Sequence, residues 1–120
     1  MFNFEKLAVW QKAIDFSHAI YEVTKKFPRD ERFGLTNQLR RASVSVSSNI
    51  VEGASRASAA DYARFLEIAV GSLFEVVSQL FVAFKEGFID AASFDQIYKS
   101  SEEISRMLSG LRKTILKGIV

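Results

Sequence analysis

Several residue types that carry chemistry are absent or rare in this chain of 120 residues. It has no cysteine, which excludes disulfides and thiolate metal sites and agrees with a reducing cytoplasm. It has one histidine, which is not part of the Glu-x-x-His pairs that a di-metal bundle requires. Its six glycines form no glycine-rich phosphate-binding loop. We therefore expect no enzymatic activity, no bound metal and no cofactor.

The chain also has a small net charge and lacks a long apolar run. The 16 Lys and Arg residues exceed the 14 Asp and Glu residues by only two, so the chain as a whole is not strongly attracted to nucleic acid. No uncharged apolar run reaches about 18 residues, and residues 1–12 lack a signal-peptide pattern. We expect a soluble, cytoplasmic protein with no membrane partner.

Helix-breaking residues divide the chain into four predicted long helices. Breaks at Pro28, Gly53 and Gly87 separate the predicted helices, which span approximately residues 5–27, 33–53, 58–87 and 91–117. Ser58 and Asp90 are suited to cap the third and fourth helices. Helices of similar length joined by short loops favour an all-α fold, an antiparallel up-down-up-down four-helix bundle forming a single domain over residues 1–120.

Apolar residues recur three and four positions apart in every predicted helix. The second and fourth helices carry one such seam each, whereas the first and third carry two, more than a bundle core needs. The surplus either broadens the core or faces a neighbouring subunit, and we expect Phe74 and Phe81 of the third helix to lie in an oligomer interface. Residues 42–48 (ASVSVSS) alternate like a strand, but their place inside a helical run predicts a helix.

A polar cluster is predicted beside these seams on the second and third helices. Its members are Arg41, Asn49, Glu52, Gly71, Ser72 and Glu75. Glycine inside a helix costs about 1 kcal/mol relative to alanine, so Gly71 suggests a close backbone contact. One interpretation is a groove that contacts a ligand or RNA. The favoured one is a structural network in which a buried Arg41 pairs with Glu52 or Glu75 and fixes the helix register or a subunit contact.

Two groups of basic residues are candidates for nucleic-acid contact. The first is Arg40 with Arg56 near the end of the second helix. The second lies on the outer face of the fourth helix and consists of Lys99, Arg106, Lys113 and Lys117. No aromatic residues that stack on bases are interleaved with either group, and lysines in a last turn also suit the helix dipole. A solvated surface is therefore the alternative, as it is for His18, which falls in a polar arc.

These motifs resemble the bacterial four helix bundle protein family, whose members are encoded in intervening sequences of large-subunit rRNA genes. The resemblance covers nearly the whole chain and is strongest at residues 38–42 (QLRRA), 49–53 (NIVEG) and 65–72 (FLEIAVGS) with Arg56 and Glu75. Trp10 and residues 27–28 fit it as well. One departure is Ser47, where many relatives have proline, which leaves open whether the second helix is kinked.

The resemblance implies a homopentamer and kinship to the accessory protein of diversity-generating retroelements, which binds reverse transcriptase and nucleic acid. A shared fold does not by itself transfer that role. We expect a non-enzymatic homo-oligomer, with a ring of five copies that binds RNA, DNA or a protein partner. The alternative is a purely structural or protein-interaction module that binds no nucleic acid.

Overall fold

A computed structural model describes residues 1–118, and within that range it contains four α-helices and no strand. The helices are α1 (Ala8–Thr24), α2 (Leu35–Ala54), α3 (Ala59–Lys85) and α4 (Ala91–Leu116). Short 3₁₀ turns at Asn3–Lys6 and Arg29–Glu31 precede α1 and α2. The all-α prediction is confirmed, and residues 42–48 lie inside α2 as expected.

Side-chain caps fix where α3 and α4 begin. The Ser58 hydroxyl accepts a hydrogen bond from the Asp61 backbone N–H at 3.1 Å, and the Asp90 carboxylate accepts one from the Ser93 N–H at 2.7 Å. These bonds satisfy donors that the first turn of a helix leaves without a partner. The bond from Ser93 also holds the pKa of the Asp90 carboxyl below its usual range. Both predicted caps are confirmed.

The first helix is shorter than the sequence pattern indicates. Residues before Ala8 form the 3₁₀ turn, which is closed by the Glu5 side chain accepting from the Phe2 backbone N–H at 2.8 Å. At the other end, α1 ends at Thr24, and a turn in which Lys25 keeps helical dihedrals leads to Pro28, which disfavours a helical conformation at Phe27. Phe27 stays buried even though it lies outside the helix.

Cross-helix contacts define an antiparallel bundle. Gln38 contacts Gln79, Ser45 contacts Ser72, and Gly53 lies against Tyr62, so α2 and α3 run in opposite directions. Helix α1 packs on α2 and α4, and α3 packs on the same two, while no Cα atoms of α1 and α3 lie within 8 Å of each other among the described residues. The four helices thus occupy the corners of a square in chain order, in a bundle 46 Å long and 23 Å across.

The core is formed by one apolar seam from each helix. The largest apolar side chains with almost no solvent exposure are Ile20, Leu39, Val46, Ile50, Leu66, Leu73, Val76, Leu80, Ile104 and Leu108. Small serines let α1 and α2 approach, since the Ser17 hydroxyl donates to the Ser43 carbonyl of α2 at 3.0 Å. Helix α2 is continuous through Ser47, whose hydroxyl donates to the carbonyl of Val44.

Candidate interaction surfaces

Helix α3 leaves much of its apolar surface outside the core. Its first seam is buried, but Phe74, Phe81 and Val82 are 63%, 51% and 50% exposed, and Ile68 is 42% exposed. We call these four residues the α3 apolar face. A contiguous exposed apolar patch with aromatic side chains is typical of an interaction site. The assignment of Phe74 and Phe81 to an oligomer interface remains a prediction that this exposure supports.

Helix α3 is also long and apolar enough, by length and composition, to cross a membrane, and it is the one such helix within residues 1–118. However, it carries Glu67 and Glu75 near its middle and packs along α2 and α4, as a core helix of a bundle does. Only 28% of its most apolar 18-residue window is buried in the subunit. Its surplus apolar surface is therefore on the outside of the bundle.

The aromatic residues of this face differ in how firmly the subunit holds them. The Phe81 ring packs edge-on against Phe94 of α4 at 5.0 Å between centroids, and Tyr98 lies 6.1 Å from it. Phe74 has no aromatic partner among the described residues and is the more exposed of the two. Phe74 therefore contributes little to the isolated subunit, whereas Phe81 helps to join α3 to α4.

Gly71 lies on the outer side of α3, next to the α3 apolar face. A Cβ atom built on it meets no atom within 4 Å, so the predicted close backbone contact is wrong within the subunit. The glycine at which helices do approach closely is Gly53, where a Cβ atom would lie 2.9 Å from Cδ1 of Tyr62. Burial in this contact raises the pKa of the Tyr62 hydroxyl.

Part of the predicted polar cluster is present as a hydrogen-bonded set. The hydroxyls of Ser45 and Ser72 lie 2.9 Å apart and join α2 to α3. The Asn49 side-chain amide donates to the Ser45 carbonyl at 2.8 Å and contacts the Ser45 hydroxyl at 3.0 Å. These part-buried bonds fix the register of the two helices.

The charged members of the cluster behave differently from the prediction. Arg41 and Glu75 are exposed and face one polar groove of about 520 Å³ between α2 and α3, but neither forms an ion pair with any residue of the described range. Glu52 pairs with Arg56 at 3.1 Å, one helical turn away on the surface. Within the described subunit, the expected buried pair of Arg41 with Glu52 or Glu75 is therefore wrong, while a pair across a subunit contact remains a prediction. The Gln79 amide oxygen, deep in the groove, has no hydrogen-bond partner among residues 1–118.

The first group of basic residues is engaged within the subunit. Arg40 donates from Nε to the Thr24 hydroxyl at 2.9 Å, and its guanidinium lies 4.7 Å from the centre of the Tyr21 ring. Arg56 pairs with Glu52 and lies 4.6 Å from the ring centre of Phe65. Both residues join neighbouring parts of the bundle, so they are poor candidates for free phosphate-binding cations.

The second group is more accessible. Lys99 pairs with Asp95 at 3.0 Å, one turn earlier in α4. Arg106, Lys113 and Lys117 are exposed and form no ion pair with a residue of the described range. We call these three residues the α4 basic row. His18, which is also exposed, lies 3.8 Å from Glu22 on the polar side of α1.

The sequence patterns did not indicate a cleft of about 570 Å³ between α1 and α4. Its floor is apolar and includes Phe16, Val23 and Ile97, and its rim carries the Lys12–Glu103 ion pair at 3.0 Å. The spacing of these apolar residues predicts a core position for them and does not show that a cleft lies between α1 and α4. Within residues 1–118, no group of three or more histidine or acidic side chains is placed to hold a metal ion.

The fold and the α3 apolar face place this chain in the class of small helical-bundle proteins that expose a large apolar surface. The chain belongs to the 23S rRNA-intervening sequence protein family, whose profile matches residues 5–110. It is also similar to the crystal structure of a protein of unknown function from the S23 ribosomal protein family of Bacteroides thetaiotaomicron. That likeness has 26% identity and a TM-score of 0.82, and it covers 89% of this chain and 100% of the other. Comparison with curated proteins returns no match.

Proposed function

We propose that this chain is a non-enzymatic building block of a cytoplasmic homo-oligomer, in which copies associate through the α3 apolar face. The observation that carries the proposal is the exposure of Phe74, Phe81 and Val82, each at least half exposed in the single subunit. Burial of apolar surface is worth roughly 25 cal/mol per Å², so covering several such side chains provides a strong drive for association. The family resemblance supports a ring of five copies.

A second candidate function is the binding of RNA by the assembled oligomer. It is favoured by the α4 basic row, where three cations share one exposed face without acidic partners in the described part of the chain. One subunit offers few phosphate contacts, but an assembly repeats the row and gains affinity from many weak contacts. A scaffold that binds only protein is the alternative.

Replacement of Phe74 by glutamate tests the assembly surface most cleanly. Phe74 is 63% exposed, so the variant subunit should keep its helical circular dichroism, whereas a carboxylate buried between copies is costly. Phe33, which is 85% exposed in the turn before α2, provides a matched control. By light scattering, Phe74→Glu should lose mass relative to the wild type, and Phe33→Glu should not. Equal masses for all three proteins would exclude the α3 apolar face as the assembly surface.

A further inference from the structure

No contact within the described subunit explains why residue 71 is a glycine. Glycine in the middle of a helix costs about 1 kcal/mol relative to alanine, and a Cβ atom at this position would meet nothing within 4 Å. Its neighbours on the same side of α3 are the exposed Ile68, Phe74 and Glu75. The glycine therefore forms a notch in an exposed apolar face, which is the shape that another helix needs to approach closely.

The outer face of α2 has the complementary shape and charge. It exposes Val44 and Ser48, whose short side chains allow a close helix-to-helix contact, together with Arg41. Helix α2 carries Arg40 and Arg41 and, at its end, Glu52, which is paired with Arg56, whereas residues 66–82 of α3 contain only negative charges. Opposite charges on two surfaces favour their association and fix its register.

On each of these two faces, only one charged side chain is not already bonded to another residue of the described range. Arg40 is bonded to Thr24, and Glu67 of α3 is paired with Arg112. Arg41 and Glu75 form no ion pair among residues 1–118 and are both exposed. They are therefore the charges available for a contact between copies.

We infer that α2 of one copy packs across α3 of the next copy at Gly71, and that Arg41 of the first pairs with Glu75 of the second. The inference rests on the proposed self-assembly and adds which faces meet. Because α2 and α3 occupy neighbouring corners of the bundle, their outward faces point roughly at a right angle. Repeated contacts between two different faces of each copy form a ring where the rotation from copy to copy closes.

Gly71→Ala and Gly110→Ala provide a matched pair of variants. Gly110 is also exposed inside a helix, and a methyl group added there would meet nothing within 4 Å, but it lies on α4 beside the α4 basic row. Both subunits should keep their helicity. In a dilution series, Gly71→Ala should raise the concentration for half-assembly about tenfold or more, because the methyl group overpacks the notch. Gly110→Ala should assemble like the wild type. Unchanged assembly of Gly71→Ala overturns the notch contact.

Charge reversal distinguishes a contact between copies from one within the chain. Arg41→Glu and Glu75→Arg should each weaken assembly, since both place like charges at the contact. Mixing the two variants should restore part of the assembly, because a contact between the two variants brings opposite charges together, although a ring of five copies keeps one contact of like charge. A pair within one chain cannot be rescued by mixing, so absence of rescue overturns the pairing. A wild-type chain that is monomeric contradicts the proposed self-assembly itself, whereas an oligomeric wild type with no Gly71 effect and no rescue contradicts this inference alone.

Discussion

Gly53 at the end of α2 and Tyr62 at the start of α3 are packed with no room for a side chain between them. A Cβ atom on Gly53 would lie 2.9 Å from Cδ1 of Tyr62 and 3.1 Å from its carbonyl oxygen. The contact brings the two helices together directly after the short turn that joins them. Their antiparallel pairing, which positions the groove and the α3 apolar face, therefore begins at this glycine.

Gly53→Ala should destabilise the subunit. The added methyl group must displace backbone as well as the Tyr62 ring, and overpacking of this kind costs about 1–3 kcal/mol. Urea unfolding followed by circular dichroism measures the loss in the free energy of unfolding. Gly110→Ala, where the methyl group has open space, should show no loss. Equal stability of the two variants would mean that the α2–α3 turn adapts without strain.

Arg40→Ala should lower stability by about 1–2 kcal/mol, because it removes both the hydrogen bond to Thr24 and the contact with the Tyr21 ring. Arg106→Ala is the matched control, since Arg106 is exposed and has no ion-pair partner within residues 1–118. Thermal melts of the two variants compare them directly. A larger loss for Arg106→Ala would contradict the structural role of Arg40.

The cap of α4 should make stability depend on pH at the acidic end. The pKa of Asp90 is lowered in the folded state from its ordinary value of 3.8. The contribution of the charged cap is therefore present above that ordinary value and is lost as the pH falls through the folded pKa. Asp90→Ala should melt below the wild type near neutral pH, and the gap should narrow in strong acid. A gap that is constant across this range would show that the charge is irrelevant.

RNA binding, if the α4 basic row carries it, should depend on charge and salt. Fluorescence anisotropy with labelled RNA should show binding that weakens steeply as salt rises, because phosphate contacts release counterions. Arg106→Glu with Lys113→Glu should reduce affinity roughly tenfold at low salt, while Lys25→Glu with Lys26→Glu, an equal charge change in the turn that follows α1, should have a smaller effect. No binding at about 50 mM salt leaves only the scaffold function.

The fold can be predicted from the sequence because the spacing of apolar residues and the positions of helix-breaking residues are local signals. Spacing of apolar residues predicts which side of each helix is buried, and the caps at Ser58 and Asp90 are readable within four residues. The surplus apolar seam of α3 was also visible, and the structure places Phe74 and Phe81 on its exposed side.

Contacts of individual charged residues could not be predicted in the same way. The four-residue spacing of Glu52 and Arg56 favours the surface pair that forms. Helical periodicity places Arg41 and Glu52 on one face of α2 but about 16 Å apart along the helix, and it does not show that Arg41 and Glu75 stay unpaired within residues 1–118. It also does not show that Arg40 turns toward Thr24 across the α1–α2 seam. Such choices depend on side-chain distances of a few ångströms that only the packed structure determines.

The mass of the wild-type chain in solution shows directly whether copies of it associate into an oligomer. Sedimentation equilibrium across a dilution series reports how many copies associate without any substitution. We expect a species several times the 13.5 kDa subunit mass at micromolar concentration, with five copies the expected number. A mass of 13.5 kDa at every concentration would contradict it.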